Sequence, residues 1–248
     1  MTFTNQMTHT IPAAAFTNIK INVKNAAVTI TAAAAYQVTL TDTKKQTLHA
    51  EVRGNDLIVT ESDADIVQLN LLHLYLEQPR IEITIPNEAA LDMIEINDCN
   101  GSINLAAITC NHLVLELKNG ASKLDGLKVT RQVTLKTANG SVTIAQSSLP
   151  QTILRIANGS IKINHSQLTL DARLKNGGAK IDASQLLGQN ILKLTNGGVR
   201  ITQADPTSDY QLSTVAGHVR CFANQTGRNF TSDNHVKITT ITGGITVS

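Results

Sequence analysis

A chain of 248 residues with 42% hydrophobic content can bury a sizeable core, which excludes a disordered chain. Tryptophan is absent and aromatic residues make up only 3%, which excludes large aromatic-lined ligand pockets and points to strands packed through aliphatic side chains. The net charge is only +2, yet residues 1–100 carry 6 Lys/Arg against 12 Asp/Glu while residues 101–220 carry 13 against 6, so the two regions have opposite electrostatic character.

The first segment, Met1 to Pro12, has neither a basic start nor a continuous apolar stretch, so it does not read as a secretory signal, and no later run is long and apolar enough to span a membrane. Sequence alone therefore places the chain in the cytoplasm. Ile19, Ile21 and Val23 alternate as a half-buried strand does, Asn25-Ala26 makes a turn, and Val28 and Ile30 resume the alternation. Residues 31–98 read as an irregular insertion: a hairpin from Thr47 to Thr60 around Gly54-Asn55, an apolar run Leu69 to Leu76 that is expected to be a strand, and a strand Ile81 to Ile85 stopped by Pro86.

From residue 99 the chain becomes regular. Gly101, Gly120, Gly140, Gly159, Gly177, Gly197 and Gly217 recur at intervals of 19, 20, 19, 18, 20 and 20 residues, the signature of a solenoid or array. Asn precedes six of them (Asn100, Asn119, Asn139, Asn158, Asn176, Asn196) and Ala216 the seventh. Asn and Gly both accept positive φ, so each pair predicts a sharp turn. Two and four positions after the glycine stand Ile103/Leu105, Val142/Ile144, Ile161/Ile163, Ala179/Ile181, Val199/Ile201 and Val219/Cys221, with Ser122/Leu124 the weak case. A second alternating run, such as Leu113, Leu115 and Leu117, precedes each turn. At the end, Val236 and Ile238 lead to Gly243, with Ile245 and Val247 beyond, so the first and last coils read as degenerate terminal repeats.

A meander of antiparallel hairpins would satisfy the same apolar positions. Recurrence of Asn at one place favours the solenoid, in which each side-chain amide lies over the previous one at ~4.8 Å and forms a ladder. The expected fold is therefore an all-β, parallel β-solenoid of about 19 residues per coil with Asn-Gly turns, one domain over 1–248, and right-handed by the general crossover preference. Three cysteines, Cys99, Cys110 and Cys221, form no CxxC pair and read as free thiols.

The strand-turn-strand Ile19 to Ile30, the Ile-x-Ile-Pro strand Ile81 to Pro86 followed by Leu91 to Ile96, and the serial Asn-Gly coils through Gly244-Ile245-Thr246-Val247 together resemble the bacterial putative-adhesin family. The resemblance covers essentially the whole chain. It implies a parallel β-solenoid at or near the bacterial cell envelope, with adhesion as the proposed role.

No catalytic constellation lines up on the register. Asp125 and Asp182, both five positions after a glycine, fall three coils apart, roughly 14 Å at strand spacing, too far for a shared carboxylate site. The histidines show no zinc spacing, and Gly177-Gly178 and Gly197-Gly198 read as turn glycines because no helix follows to make a phosphate cradle. No cofactor is implied.

One surface feature stands out. Three positions after the glycine lie Asn104, Lys123, Thr143, Lys162, Lys180, Arg200 and Arg220, the last four in successive repeats; four before it, Lys136, Arg155, Arg173 and Lys193 form a second row. Stacked like charges oppose folding by some tenths of a kcal/mol per pair. Two readings are open: a basic face for an anionic cell-wall polymer, polysaccharide or lipid surface, or a solvated face that uses long cationic stems for cover. Nucleic acid is disfavoured because no aromatic platforms interleave with the rows. The functional expectation is a non-enzymatic, adhesin-like binding module, with a carbohydrate-active enzyme or a self-associating scaffold as alternatives.

Overall fold

A computed structural model describes residues 7–12, 14–43, 46–63, 78–221 and 232–248. The apolar run Leu69 to Leu76 lies outside the described residues. The strands, in chain order, are β1 (Thr8–Pro12), β2 (Asn18–Val23), β3 (Ala27–Ala33), β4 (Gln37–Thr41), β5 (Gln46–Arg53), β6 (Asp56–Asp63), β7 (Arg80–Pro86), β8 (Ala90–Ala106), β9 (Thr109–Asp125), β10 (Lys128–Ala145), β11 (Ser148–Asn164), β12 (Gln167–Asp182), β13 (Gln185–Leu186), β14 (Gln189–Asn196), β15 (Val199–Thr202), β16 (Asp209–Ala216), β17 (Val219–Cys221), β18 (His235–Thr242) and β19 (Ile245–Val247). Among the described residues there is no helix.

Strands β8 to β12 each run through an Asn-Gly corner and pair in parallel with the next, Asn over Asn and Gly over Gly. This parallel pairing decides between solenoid and meander. The amides form the expected ladder: Asn100 Nδ2 donates to Asn25 Oδ1 at 2.9 Å, Asn119 to Asn100 at 2.6 Å, Asn139 to Asn119 at 2.8 Å, Asn158 to Asn139 at 2.9 Å, Asn176 to Asn158 at 2.7 Å and Asn196 to Asn176 at 2.8 Å.

Conformational freedom is only half the reason for the corner glycines. Gly140 does not have positive φ, yet a Cβ there would lie 1.7 Å from the Gly120 carbonyl oxygen, so the backbones stack too closely for any side chain. Positive φ among non-glycine residues occurs instead at the opposite corner, at Ala107, Gln146, His165, Ala183 and Gln203, in register with Gly126. There the strain is offset by backbone hydrogen bonds between coils, such as Ala107 N–H to Asp125 O at 2.9 Å and His165 N–H to Asp182 O at 3.0 Å. Buried Ser147, Ser166 and Ser184 continue the column: Ser166 Oγ accepts the Ser147 N–H at 3.1 Å and donates to Asn164 O at 2.8 Å.

Residues two and four after the corners from Gly101 to Gly197 fill the interior, with Leu105, Leu124, Ile144 and Ile163 at 0% exposure. Each such side chain contributes about 1.5–3 kcal/mol through removal from water. The interval varies because register shifts between Lys128 and Val133, and between Leu149 and Thr152, absorb extra residues outside the paired arms.

The ends depart from sequence order. Strands β18 and β19 pair on one side with β14 and β15 and on the other with β16 and β17, so the final coil lies between the two coils that precede it. At the opposite end β2 and β3 sit between β8 and the pair β6 and β7. Antiparallel strands β5, β4 and β1 extend that end, β5 on β6 across the Gly54-Asn55 turn, β4 on β7 and β1 on β4. The first and last coils are therefore penultimate rungs. Ile245 and Val247 are fully buried, whereas Val219, expected in the core, is 36% exposed in the outermost rung.

Candidate binding face

The strand register assembles the two basic rows. In the row after the corner, Lys123 pairs with Thr143, Thr143 with Lys162, Lys162 with Lys180 and Lys180 with Arg200. Thr246 then intervenes, pairing with Arg200 on one side and Arg220 on the other. The uninterrupted run is thus Lys162, Lys180 and Arg200, with Arg220 two rungs beyond Arg200. In the row before the corner, Lys136, Arg155, Arg173 and Lys193 are direct neighbours in four successive rungs.

The rows differ in their counter-charges. Lys136 Nζ is 2.6 Å from Glu116 Oε1; Arg155 holds Asp171 through two hydrogen bonds of 2.6 and 3.1 Å; and Arg173 Nε is 3.8 Å from the same carboxylate. The second row thus sets two carboxylates against four cations: Lys136, Arg155 and Arg173 are engaged, and among the described residues Lys193 has no ion pair within 4.0 Å. Lys123 likewise lies 3.2 Å from Asp125. Among the described residues, no ion pair within 4.0 Å engages Lys162, Lys180 or Arg200, and all three are exposed.

Beside these three cations runs a trough of about 550 Å³. Its floor is Gly178, Gly198 and Gly244, the residues directly after the corner glycines of their coils. Gly177 and Gly197 are turn glycines with φ of 132° and 139°, but Gly178 and Gly198 are not. Their lack of a side chain opens the face. Ser160 and Thr246 stand at the margins, and His218 closes one end with its imidazole over Gly244, where a Cβ would be 3.0 Å from His218 Cε1. The glycine doublets were visible in the sequence, but only the register shows that their second members share one face.

A second groove, of about 610 Å³, borders Asn97, Asp98, Cys99, Glu116, Lys118 and Lys136. Asp98 occupies the row filled elsewhere by Leu117, Thr137, Ile156, Leu174 and Leu194. It is 4% exposed, Oδ1 accepts the Asn100 N–H at 3.1 Å, and Oδ2 has no hydrogen-bond partner. Burial pushes its carboxyl up to about 7; the N–H groups of Asn100 and Cys99 oppose this, and nearby Glu61 adds to it. Burial also pushes the Cys110 thiol up to about 12, while Cys99 is exposed.

Asp125 and Asp182 remain three rungs apart, with Ala145 and Asn164 between them. Asp125 faces Lys123 and Asp182 accepts the Thr202 hydroxyl. Among the described residues, no group of three or more His, Cys, Asp or Glu is placed to hold a metal ion, and no helix is long and apolar enough to cross a membrane.

Coil-over-coil parallel pairing, an amide ladder at one corner and a regular charged exterior define a parallel β-solenoid. Residues 16–248 match the family model described as Toastrack DUF4097, and the chain belongs to that family. Among solved structures it is similar to a putative adhesin from Bacteroides fragilis, at 11% identity and TM-score 0.48 over 98% of this chain and 97% of that chain. A putative lipid binding protein from Parabacteroides distasonis is similar at 14% identity and TM-score 0.49, over 98% and 97%. A putative adhesin from Parabacteroides distasonis is similar at 12% and 0.46, over 99% and 98%. No curated protein matches the chain.

Proposed function

We propose that the chain is a non-enzymatic binding module of the bacterial cell envelope that holds an anionic polymer or surface through its stacked basic rows. The observation that carries this reading is the run Lys162, Lys180 and Arg200: three exposed cations in adjacent rungs with no acidic partner in ion-pair range among the described residues. Like charges at strand spacing repel one another, and an external polyanion relieves that repulsion while releasing its own counterions. The test is co-sedimentation with anionic polymers and with vesicles containing anionic lipid, at increasing salt. Binding that weakens with salt and is lost in the Lys162→Glu, Arg200→Glu double variant supports the reading. Binding that survives both substitutions removes it.

A second reading, self-association through the far end, is favoured by the outermost rung. Among the described residues β16 and β17 pair on one side only, and Val215 and Val219 are 81% and 36% exposed. Sedimentation velocity across a concentration series checks it: a mass that rises with concentration and falls back in Val215→Lys supports an end-to-end contact.

A further inference from the structure

The trough narrows the class of ligand. We infer that its occupant is an extended acidic polysaccharide, with a carboxylate on its repeating sugar, lying along the stack over Gly178, Gly198 and Gly244 with its anions on Lys162, Lys180 and Arg200. This rests on the basic-face reading and adds to it the shape of the ligand.

Three features point the same way. The cations are spaced by the rung interval, ~4.8 Å. An extended chain of pyranose rings advances by about the same interval per sugar and turns successive carboxylates to opposite faces, so the carboxylates on one face recur at about two rungs, the spacing of Lys162 and Arg200, with Lys180 between them. Polyphosphate, with charges much closer together and no rings, would crowd its anions against each cation and leave the floor empty.

The second feature is the floor. Three half-buried residues without side chains leave a recess of about 550 Å³, within the range of small-molecule clefts and open at the side. A ring can settle there with its charged substituent turned to the wall. A flat bilayer meets the tips of the cations first, whereas a single extended chain can lie along the open recess between them.

The third feature is the margin. The hydroxyls of Ser160 and Thr246 and the imidazole of His218 line the same recess, and they supply hydrogen-bonding groups at the level where sugar hydroxyls would lie. Arg200 adds a planar fork that donates two parallel hydrogen bonds to a carboxylate, a geometry that a lysine does not offer. Aromatic stacking is absent from the recess, so affinity depends on charge and falls with salt.

The experiment uses the full chain and polygalacturonate oligomers as the probe, with dextran and polyphosphate as comparators, followed by calorimetry at low and moderate salt. Two kinds of variant separate the ideas. Lys180→Glu reverses the central charge. Gly178→Phe and, independently, Ser160→Phe fill the recess while leaving every charge in place; circular dichroism and thermal melting check that each variant is folded.

The expected result is that polygalacturonate binds more tightly than polyphosphate, dextran does not bind, and both kinds of variant weaken polygalacturonate by about tenfold or more. Equal affinity for polyphosphate, or filled variants that bind polygalacturonate as the parent does, overturns the polysaccharide inference and leaves the basic-face reading standing. If Lys180→Glu and the Lys162→Glu, Arg200→Glu double variant leave all polyanion binding unchanged, both fall.

Discussion

Arg200 and Arg220 hold the same place in successive sequence repeats, yet they are not neighbours in space: Thr246 pairs with each of them and keeps them two rungs apart. The same interleaving places Ile238 and Ile245 at 0% exposure near the end of the chain.

The first prediction concerns this sandwiched coil. Terminal repeats fray, but β18 has a partner on both sides, so its amides should exchange as slowly as those of β11 and more slowly than those of β16. Ile238→Ala should destabilise by about 2–4 kcal/mol, as a central-coil truncation does. Hydrogen exchange and urea unfolding read the two quantities. Exchange in residues 236–240 as fast as in 209–216 would contradict the interleaved order.

A second prediction separates the two residues of the corner. Asn139→Ala removes the amide bonds to Asn119 and Asn158, both exposed to water, and should cost about 1–2 kcal/mol. Gly140→Ala sets a Cβ against the Gly120 carbonyl oxygen, which belongs to paired backbone and cannot yield cheaply. Its denaturation midpoint should fall well below that of Asn139→Ala, by about 3 kcal/mol or more in stability.

Asp98 supplies a pH dependence. Its carboxyl titrates near 7 in the folded protein against an ordinary value of 3.8, so the folded state holds a proton that the unfolded chain releases earlier. Its contribution is fully present below the ordinary value and is lost as pH rises through about 7. The parent should therefore be less stable at pH 8 than at pH 5 relative to Asp98→Asn, measured by urea unfolding at each pH. Asp56, held below the usual carboxylate range by hydrogen bonds from Lys20 and Asn18, acts in the opposite sense, and its contribution is lost only in acid.

The fourth prediction tests the counter-charges. Asp171→Asn removes the partner of both Arg155 and Arg173 without changing side-chain size. If the second row binds polyanions once freed, affinity at low salt should rise about threefold or more, with a steeper dependence on salt. Stability should change by less than about 1 kcal/mol, because the pair is substantially exposed.

Much of this architecture was legible in the sequence. The Asn-Gly interval located the corner because stacked amides and touching backbones demand the same residue in every coil, and positions two and four located the core because strands alternate. The order of coils at the ends was not legible. Residues 219–221 and 245–247 carry the same alternation, and an apolar pattern states which face is inward without stating which rung is adjacent. That is why Val219 was expected in the core and Arg220 beside Arg200. The pairing of Glu116 with Lys136 was legible, since both stand four positions before their corner glycines and are register partners. That of Asp171 with Arg155 was not, because the partners come from different positions of neighbouring coils. The serine column at Ser147, Ser166 and Ser184 could have been found from its recurrence seven positions after the glycine, a weaker signal because it spans only three coils.

The interleaved ends also set the order in which the molecule can be completed. Residues 209–221 leave the ribosome before residues 235–247, yet among the described residues those later strands are the only ones they pair with. A solenoid that grew one coil at a time would seat each new coil on the last. Here the tip has to wait with a gap one strand wide until the following segment closes it, so the last two rungs form in a single event. Copy number is consequently free in one place only. A duplicated coil between β8 and β12 lengthens the stack and leaves both tips intact, whereas one inserted between β15 and β16 separates strands that must close together.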